Sequence, residues 1–226
     1  MLLALDTASR QASVALFDGE QLISEATWHS ARQHTMELMP RVVAMLGQAG
    51  LLPRDLTAVG VALGPGSFTG LRVALSVAKG LAAANDMALL GVPTLDVVAY
   101  PHRWQPWPVC ALVQAGRGRV CWALYSWRGG TWEPRSEYRL SSVDEVCAIV
   151  SETEQPTLMS GEILPSTAAL LQALGDRIRL ASPAATLRRA GYLAELAWLR
   201  LQRGEMDDPA SLAPIYLDEP TAARAS

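Results

Sequence analysis

The sequence predicts an α/β protein built from two similar units that follow one another along a chain of 226 residues. Short apolar runs alternate with stretches of helical periodicity, a pattern typical of sheets flanked by helices. The order of these elements starts again after the segment PHRWQPWP, which is rich in proline and tryptophan and has no periodicity. Half of the residues are apolar and 18% are charged, so the composition favours a folded globule over a disordered chain.

The first unit opens with a meander of three strands, separated by the turn-forming stretches DTASRQ and DGEQ. A helix follows, because Leu38, Val42 and Met45 recur at helical spacing, and Pro40 is expected to kink or delay it. Strands are predicted over residues 2–6, 12–17, 22–28, 57–63 and 87–93. Two further helices are predicted over residues 70–84 and 94–100.

The second unit repeats this order. Ser142 and Glu145 form a capping-box signature, which predicts the start of a helix at 143. Strands are predicted over residues 109–115, 120–127, 131–140, 157–160 and 177–181. Helices are predicted over residues 143–152, 166–174 and 186–203.

A duplicated element order of this kind is shared by the actin-like (ASKHA) folds, in which two ribonuclease-H-like halves each form a mixed sheet with flanking helices. The expected fold class is therefore α/β and actin-like, an analogy that by itself gives no function. We place the domains at 1–104 and 105–226, the second being smaller and more divergent. The last helix is a candidate to pack back on the first domain.

The glycine-rich loop GPGSFTG joins a predicted strand to a predicted helix. It does not fit a Walker A loop, because Gly66 and Gly70 are too close and no lysine follows them. The spacing also departs from the dinucleotide-binding fingerprint. A rigid turn that caps the helix is the favoured interpretation, although unpaired backbone N–H groups at such a turn could also bind an anion. The residues assigned to this structural loop are Gly64, Pro65, Gly66, Ser67, Thr69, Gly70 and Arg72.

The helices on either side of the fourth strand are apolar over more of their circumference than one buried face requires. Two explanations remain open: these surfaces bind a protein partner, or the C-terminal helix 186–203 covers them. Methionines on the first of the two helices would suit an adaptable partner surface. The candidate interface residues are Met36, Met39, Val43, Leu46, Leu71, Val73, Leu75 and Val77.

No catalytic constellation is evident. The three histidines lack metal-ligand spacing, and the three cysteines are read as buried free thiols. Asp6 and Thr7 follow the first strand, where an actin-like ATPase would place nucleotide-facing groups, but a turn-forming role is the favoured interpretation. A net charge of −3 without a visible local cluster of basic residues argues against nucleic-acid binding by this chain alone. With neither a signal peptide nor an apolar run long enough to span a membrane, a cytoplasmic protein is expected.

Four stretches resemble the TsaB (YeaZ) family: LLALDTASRQASVALFDG, GPGSFTGLRVALSVAKGLA, LLGVPTLDVVA and LAPIYLDEP. The resemblance implies an actin-like, non-catalytic subunit for the synthesis of threonylcarbamoyladenosine in tRNA. The implied partners are a TsaD-like catalytic paralogue and a TsaE-like ATPase, with a homodimer when the chain is alone and tRNA bound mainly through the complex. No cofactor is expected on this chain alone, whereas ATP or ADP and a metal are expected in the partner subunits.

The same resemblance places the metal ligands of the catalytic paralogue at Thr94 and Val98, neither of which carries an imidazole. The sequence departs from the family pattern over residues 114–121 and at Asp218, so any role of those positions is in doubt. The alternative function is that of an actin-like ATP-binding kinase or a peptidase-like enzyme.

Overall fold

The computed structural model describes residues 1–31 and 33–217. The meander is β1 (Leu2–Asp6), β2 (Gln11–Phe17) and β3 (Leu22–His29), and it is followed by α1 (His34–Gln48), which continues through Pro40. After a 3-10 turn at Pro53–Asp55 come β4 (Ala58–Gly64), α2 (Phe68–Asn85), β5 (Ala88–Pro93) and α3 (Thr94–Ala99). These elements match the predicted order, and α2 begins two residues earlier than expected.

The next elements, after a 3-10 turn at Tyr100–His102, are β6 (Val109–Gly116), β7 (Arg119–Arg128), β8 (Thr131–Pro134) and β9 (Arg139–Ser142). Then follow α4 (Val143–Ser151), β10 (Thr157–Gly161), α5 (Pro165–Gln172), a 3-10 turn at Gly175–Arg177, β11 (Ile178–Leu180) and α6 (Ala190–Gln202). The predicted strand over 131–140 is thus two strands, which pair with opposite ends of β7. The predicted capping box of α4 is present, with both of its hydrogen bonds formed.

The chain divides into two compact units, the first made of residues 1–97 and 188–215 and the second of residues 98–187 with the described end of the chain from Tyr216. This division differs from the predicted domains, because α6 and the segment after it belong to the first unit. The apolar side of α6, including Leu193 and Ala197, packs on the sheet of that unit. Gly60 of β4 permits the approach, since a Cβ there would lie 2.8 Å from the Cβ of Ala197.

The first unit is a three-layer structure around a five-stranded sheet with the order β3-β2-β1-β4-β5. Strands β1, β2 and β3 are antiparallel, whereas β4 is parallel to both β1 and β5. Alternate residues of β1 point to opposite faces: Leu3 and Leu5 join the core under α1 and α2, and Leu2 and Ala4 join the core under α6. Helix α6 therefore lies on the other side of the sheet from α1 and α2, and does not cover their outer surfaces.

The second unit contains a six-stranded sheet in which β11-β10-β6-β7-β8 form a path and β9 also pairs with β7. One face of this sheet packs on α4 and α5 around the fully buried Trp122. Strand β8 is an edge strand of the sheet.

Candidate functional site

The loop between β4 and α2 is a capped turn. Ser67 is the N-cap of α2, and its hydroxyl accepts a hydrogen bond from the backbone N–H of Gly70 at 3.3 Å. Gly64 has a φ of 107°, which a residue with a side chain rarely adopts, and its N–H donates to the hydroxyl of Thr94 at 3.0 Å. The predicted interpretation of the loop as a rigid cap for the helix describes this geometry.

The glycines of the loop make room for another part of the same chain. The turn after β1 lies directly over the start of α2, where the N–H of Ser67 donates to the carbonyl of Ala8 at 2.6 Å and the Thr7 hydroxyl donates to the carbonyl of Gly70 at 2.6 Å. A Cβ at Gly66 would collide with the Ala8 carbonyl, and one at Gly70 would collide with the Thr7 carbonyl. The close approach that glycine permits is therefore used internally rather than for a phosphate.

Asp6 and Thr7, the weak candidates for nucleotide contacts, are both fully buried. One Asp6 carboxylate oxygen accepts from the Arg188 Nε at 2.6 Å, and the other accepts from the Ala8 N–H at 2.8 Å. Arg188 also donates to the Gln11 carbonyl at 3.0 Å, so its guanidinium holds the β1–β2 turn to the segment before α6. Neither candidate side chain is presented to solvent, because each is used in these internal bonds.

The predicted α1–α2 surface does include exposed apolar side chains. Met36 is 72% exposed and Val43 is 61% exposed, both on α1. Between the two helices lies a groove with a volume of about 480 Å³ and a mostly apolar lining. We call this the α1–α2 groove; it is lined by Thr35, Leu38, Met39, Phe68, Thr69, Arg72, Val73, Ser76 and Val77.

Three of the predicted interface residues are buried instead. Leu46, Leu71 and Leu75 are at most 6% exposed, because they lie on the sides of α1 and α2 that face the sheet. Phe68 was missed by sequence reasoning, although it is 55% exposed and the Arg72 guanidinium lies 3.5 Å from its ring centroid. Its position directly after the N-cap Ser67 places it on the first turn of α2, at the mouth of the α1–α2 groove.

Titratable side chains elsewhere do not assemble into a metal centre: within residues 1–31 and 33–217 no group of three or more His, Cys, Asp or Glu residues could hold a metal ion. His34 is buried at the start of α1, and burial lowers its pKa despite the opposing charges of Glu37 and Asp6. The His102 Nε2 lies 2.7 Å from the hydroxyl of Ser160, and burial lowers the pKa of this imidazole as well.

All three cysteines are free thiols, as predicted, but only Cys110 and Cys121 are buried as expected, whereas Cys147 is partly exposed. Burial raises the pKa of Cys121 to about 11 and raises the pKa of Cys110 and Cys147 above the ordinary thiol value. Thiolates are the nucleophilic and metal-binding form, so these side chains are poorly suited to either role at neutral pH.

Comparison with known proteins identifies the family. The family model described as TsaD, tRNA N6-adenosine threonylcarbamoyltransferase, matches residues 22–225. The chain belongs to this family. Its TsaB-type relatives include a Bacillus subtilis protein named tRNA threonylcarbamoyladenosine biosynthesis protein TsaB, 28% identical across 96% of this chain and 93% of that protein. The protein of the same name in Escherichia coli is 35% identical across 55% of this chain and 54% of its own length.

Solved structures place the chain in the TsaB (YeaZ) branch and confirm the predicted fold. YeaZ from Pseudomonas aeruginosa superimposes with a TM-score of 0.78 at 27% identity, covering 96% of this chain and 99% of that one. At the level of fold alone, the actin-like EutJ from Carboxydothermus hydrogenoformans superimposes with a TM-score of 0.50 at 13% identity, covering 86% of this chain and 89% of that one.

In this TsaB-type chain, the structure shows the surroundings of the residues at which the sequence was compared with the family pattern. Thr94 is buried and caps the Gly64 N–H, and Val98 is buried in the core. Of the divergent segment, Gln114 is tied to Glu162 by two hydrogen bonds, Gly116 has a φ of 74°, and Cys121 is buried. Asp218 lies outside the described residues. Among the described helices, none has the length and apolar character needed to cross a membrane.

Proposed function

We propose that the chain is a non-catalytic accessory subunit in the synthesis of threonylcarbamoyladenosine in tRNA, and that it binds a TsaD-like catalytic subunit through the α1–α2 groove. The observation that carries the proposal is the exposed apolar surface of these two helices, with Met36, Val43 and Phe68 all more than half exposed. The names of the TsaB relatives supply the pathway.

The chemistry of the α1–α2 groove supports protein binding. Its walls are mostly apolar, and contiguous apolar surface of this kind on a globular protein commonly marks an interface. Met39, which lines the groove, and Met36, which is exposed on the same helix, have flexible, polarizable side chains that can adapt to a partner helix. Arg72, stacked on Phe68, supplies a positively charged group to the lining of the groove.

The internal use of the actin-like nucleotide positions supports an accessory role. Asp6 is paired with Arg188 and shielded from solvent, and the first turn of α2 is occupied by the chain's own β1–β2 turn. Under this proposal ATP or ADP and the metal belong to the catalytic subunit and to a TsaE-like ATPase. The chain alone forms a homodimer through the same groove, tRNA is contacted through the cytoplasmic complex, and the catalytic subunit displaces the second copy.

The test is copurification of a tagged TsaD-like subunit with variants of the full chain. Val77→Glu introduces a charge into the α1–α2 groove, and we expect it to abolish the complex because burying an unpaired carboxylate is strongly unfavourable. Leu75→Glu is unsuitable, since Leu75 is buried and the variant would unfold the chain. The matched control is Leu170→Glu, which places the same charge at an exposed apolar position on α5.

The proposal requires that Val77→Glu remain folded by circular dichroism while losing the catalytic subunit, and that Leu170→Glu keep it. Retention of the complex by Val77→Glu at unchanged affinity would show that the α1–α2 groove is not the binding surface. Loss of the complex by both variants would show that the effect of the added charge is not specific to the groove.

A further inference from the structure

The second unit carries a series of neighbouring aromatic rings near the edge of its sheet, running from the buried Tyr125 to the exposed Trp104. Pairing of β7 with the edge strand β8 sets Trp127 opposite Trp132. Ring centroids are 5.6 Å apart for Trp104 and Trp127, 5.9 Å for Trp127 and Trp132, and 6.2 Å for Trp132 and Tyr125. We call these four residues, Trp104, Trp127, Trp132 and Tyr125, the aromatic ladder.

The outer rings of the aromatic ladder face water. Trp104 is 75% exposed and Trp127 is 43% exposed, so little of the apolar area of Trp104 contributes to the stability of the fold. The rings are nonetheless held in place: the Trp127 Nε1–H donates to the carbonyl of Arg103 at 2.5 Å. An ordered aromatic surface left open to solvent is ready to stack on a planar ligand.

Arginines border the aromatic ladder. The Arg103 guanidinium lies 3.7 Å from the Tyr100 ring centroid and 5.1 Å from that of Trp104. Arg128 is exposed at the end of β7, one residue beyond Trp127, and its side chain lies on the other face of the strand. Because β8 is an edge strand, a ligand that stacks on the tryptophans can pass around the edge and reach Arg128 as well. Glu133, which pairs with Ser126, lies on the same face as Arg128, opposite the tryptophans.

The charge of this region is opposite to that of the chain as a whole. Residues 100–142 contain six arginines and two glutamates, a formal charge of +4 with histidine neutral, whereas the whole chain has −3. The same segment holds five of the seven tryptophans. The basic residues are thus concentrated in this segment, although residues 98–187 of the second unit carry eight arginines and eight acidic residues and have no net charge. Arginine interleaved with exposed aromatic rings is the combination that binds single-stranded nucleic acid.

We propose that the aromatic ladder binds unpaired nucleotides of RNA, with bases stacked on Trp104 and Trp127 and a phosphate paired with Arg128. Stacking on aromatic side chains requires bases that are free of a duplex, so the ligand is a loop or single strand. A proline-rich peptide also docks on exposed aromatic rings, but it carries no anionic group to pair with Arg128. The proposal rests on the proposed function, in which the complex acts on tRNA, and adds a direct RNA contact by this chain.

The experiment titrates the full-length chain into a fluorescein-labelled single-stranded RNA that has no self-complementarity, followed by fluorescence anisotropy. We expect Trp104→Ala to weaken binding about tenfold, and Trp104→Phe, which keeps an aromatic face, to retain most of the affinity. Arg128→Gln is expected to reduce the slope of log affinity against log salt by about 0.7, because one phosphate contact is lost. Leu170→Ala, at an exposed apolar position on α5, is the control and binds like the unmodified chain.

Trp104 is too exposed for its replacement to unfold the unit, so a change in affinity reports on the ladder itself. Equal binding by Trp104→Ala and the unmodified chain would overturn the proposal. So would equal or tighter binding of the same RNA annealed to its complement, or tighter Trp104-dependent binding of a proline-rich peptide. The readout is RNA binding by the isolated chain, whereas the proposed function is tested by copurification with the catalytic subunit, so each can fail without the other.

Discussion

Replacing Arg188 by methionine tests how the β1–β2 turn is held to the segment before α6. Arg188 and Asp6 form a 2.6 Å ion pair whose side chains are each 1% exposed, so Arg188→Met leaves a buried carboxylate without its partner. Loss of one partner from a buried pair costs about 3–5 kcal/mol. The neighbouring Arg189 provides a matched control, because its pair with Glu25 is partly open to solvent and Arg189→Met should cost at most about 1 kcal/mol.

The assay is urea denaturation of the full chain at neutral pH, followed by tryptophan fluorescence. With an m-value of about 2 kcal/mol/M, Arg188→Met should lower the midpoint by roughly 2 M and Arg189→Met by less than roughly 0.5 M. The double variant Asp6→Asn with Arg188→Met should recover part of the loss, since it removes the unpaired charge. Equal midpoints for Arg188→Met and Arg189→Met would refute the assignment of the buried pair as the main tie between these segments.

Three further predictions follow from the first unit. Gly70→Ala should destabilise the chain, because the added Cβ would collide with the Thr7 carbonyl. Gly80→Ala, on the same helix, adds a Cβ with no neighbour within 4 Å and should stabilise the chain by about 0.5–1 kcal/mol. Thermal unfolding compares the two variants, and equal shifts in their melting temperatures would contradict the close approach. Because burial lowers the pKa of His34, the unfolded chain takes up a proton at this histidine at a higher pH than the folded chain does, and stability should fall as the pH drops below histidine's ordinary 6.5. His34→Gln should flatten this part of the plot of stability against pH, and an unchanged plot would contradict the prediction. Calorimetric titration of the isolated chain with magnesium ATP or with zinc should show no tight binding, and tight binding of either would favour the alternative kinase-like or peptidase-like enzyme.

The order of elements was predictable because each is encoded locally. The hydroxyl of Ser67 and the Ser142–Glu145 pair mark helix starts within three residues of themselves, and both caps are present. The free state of the cysteines was also predictable, from their odd number and spacing.

The site was only partly predictable, because the sequence does not show which of two apolar sides of a helix faces the sheet and which is left at the surface. Periodicity shows that α2 is apolar on two sides, but not that Leu75 lies inward and Val77 lines the groove. The Asp6–Arg188 pair joins residues 182 positions apart, a separation over which a single sequence carries no pairing signal. The clustering of five tryptophans in residues 100–142 was a visible signal for the aromatic ladder, but the pairing of β7 with β8 was needed to show that Trp127 and Trp132 lie opposite one another.

We propose that this chain supports tRNA modification by binding a catalytic partner through the α1–α2 groove. The most direct measurement is reconstitution of threonylcarbamoyladenosine synthesis on tRNA from purified TsaD-like and TsaE-like subunits with this chain, without it, and with Val77→Glu in its place. We expect modified tRNA only with the unmodified chain. Equal yields without the chain, or with Val77→Glu, would contradict it.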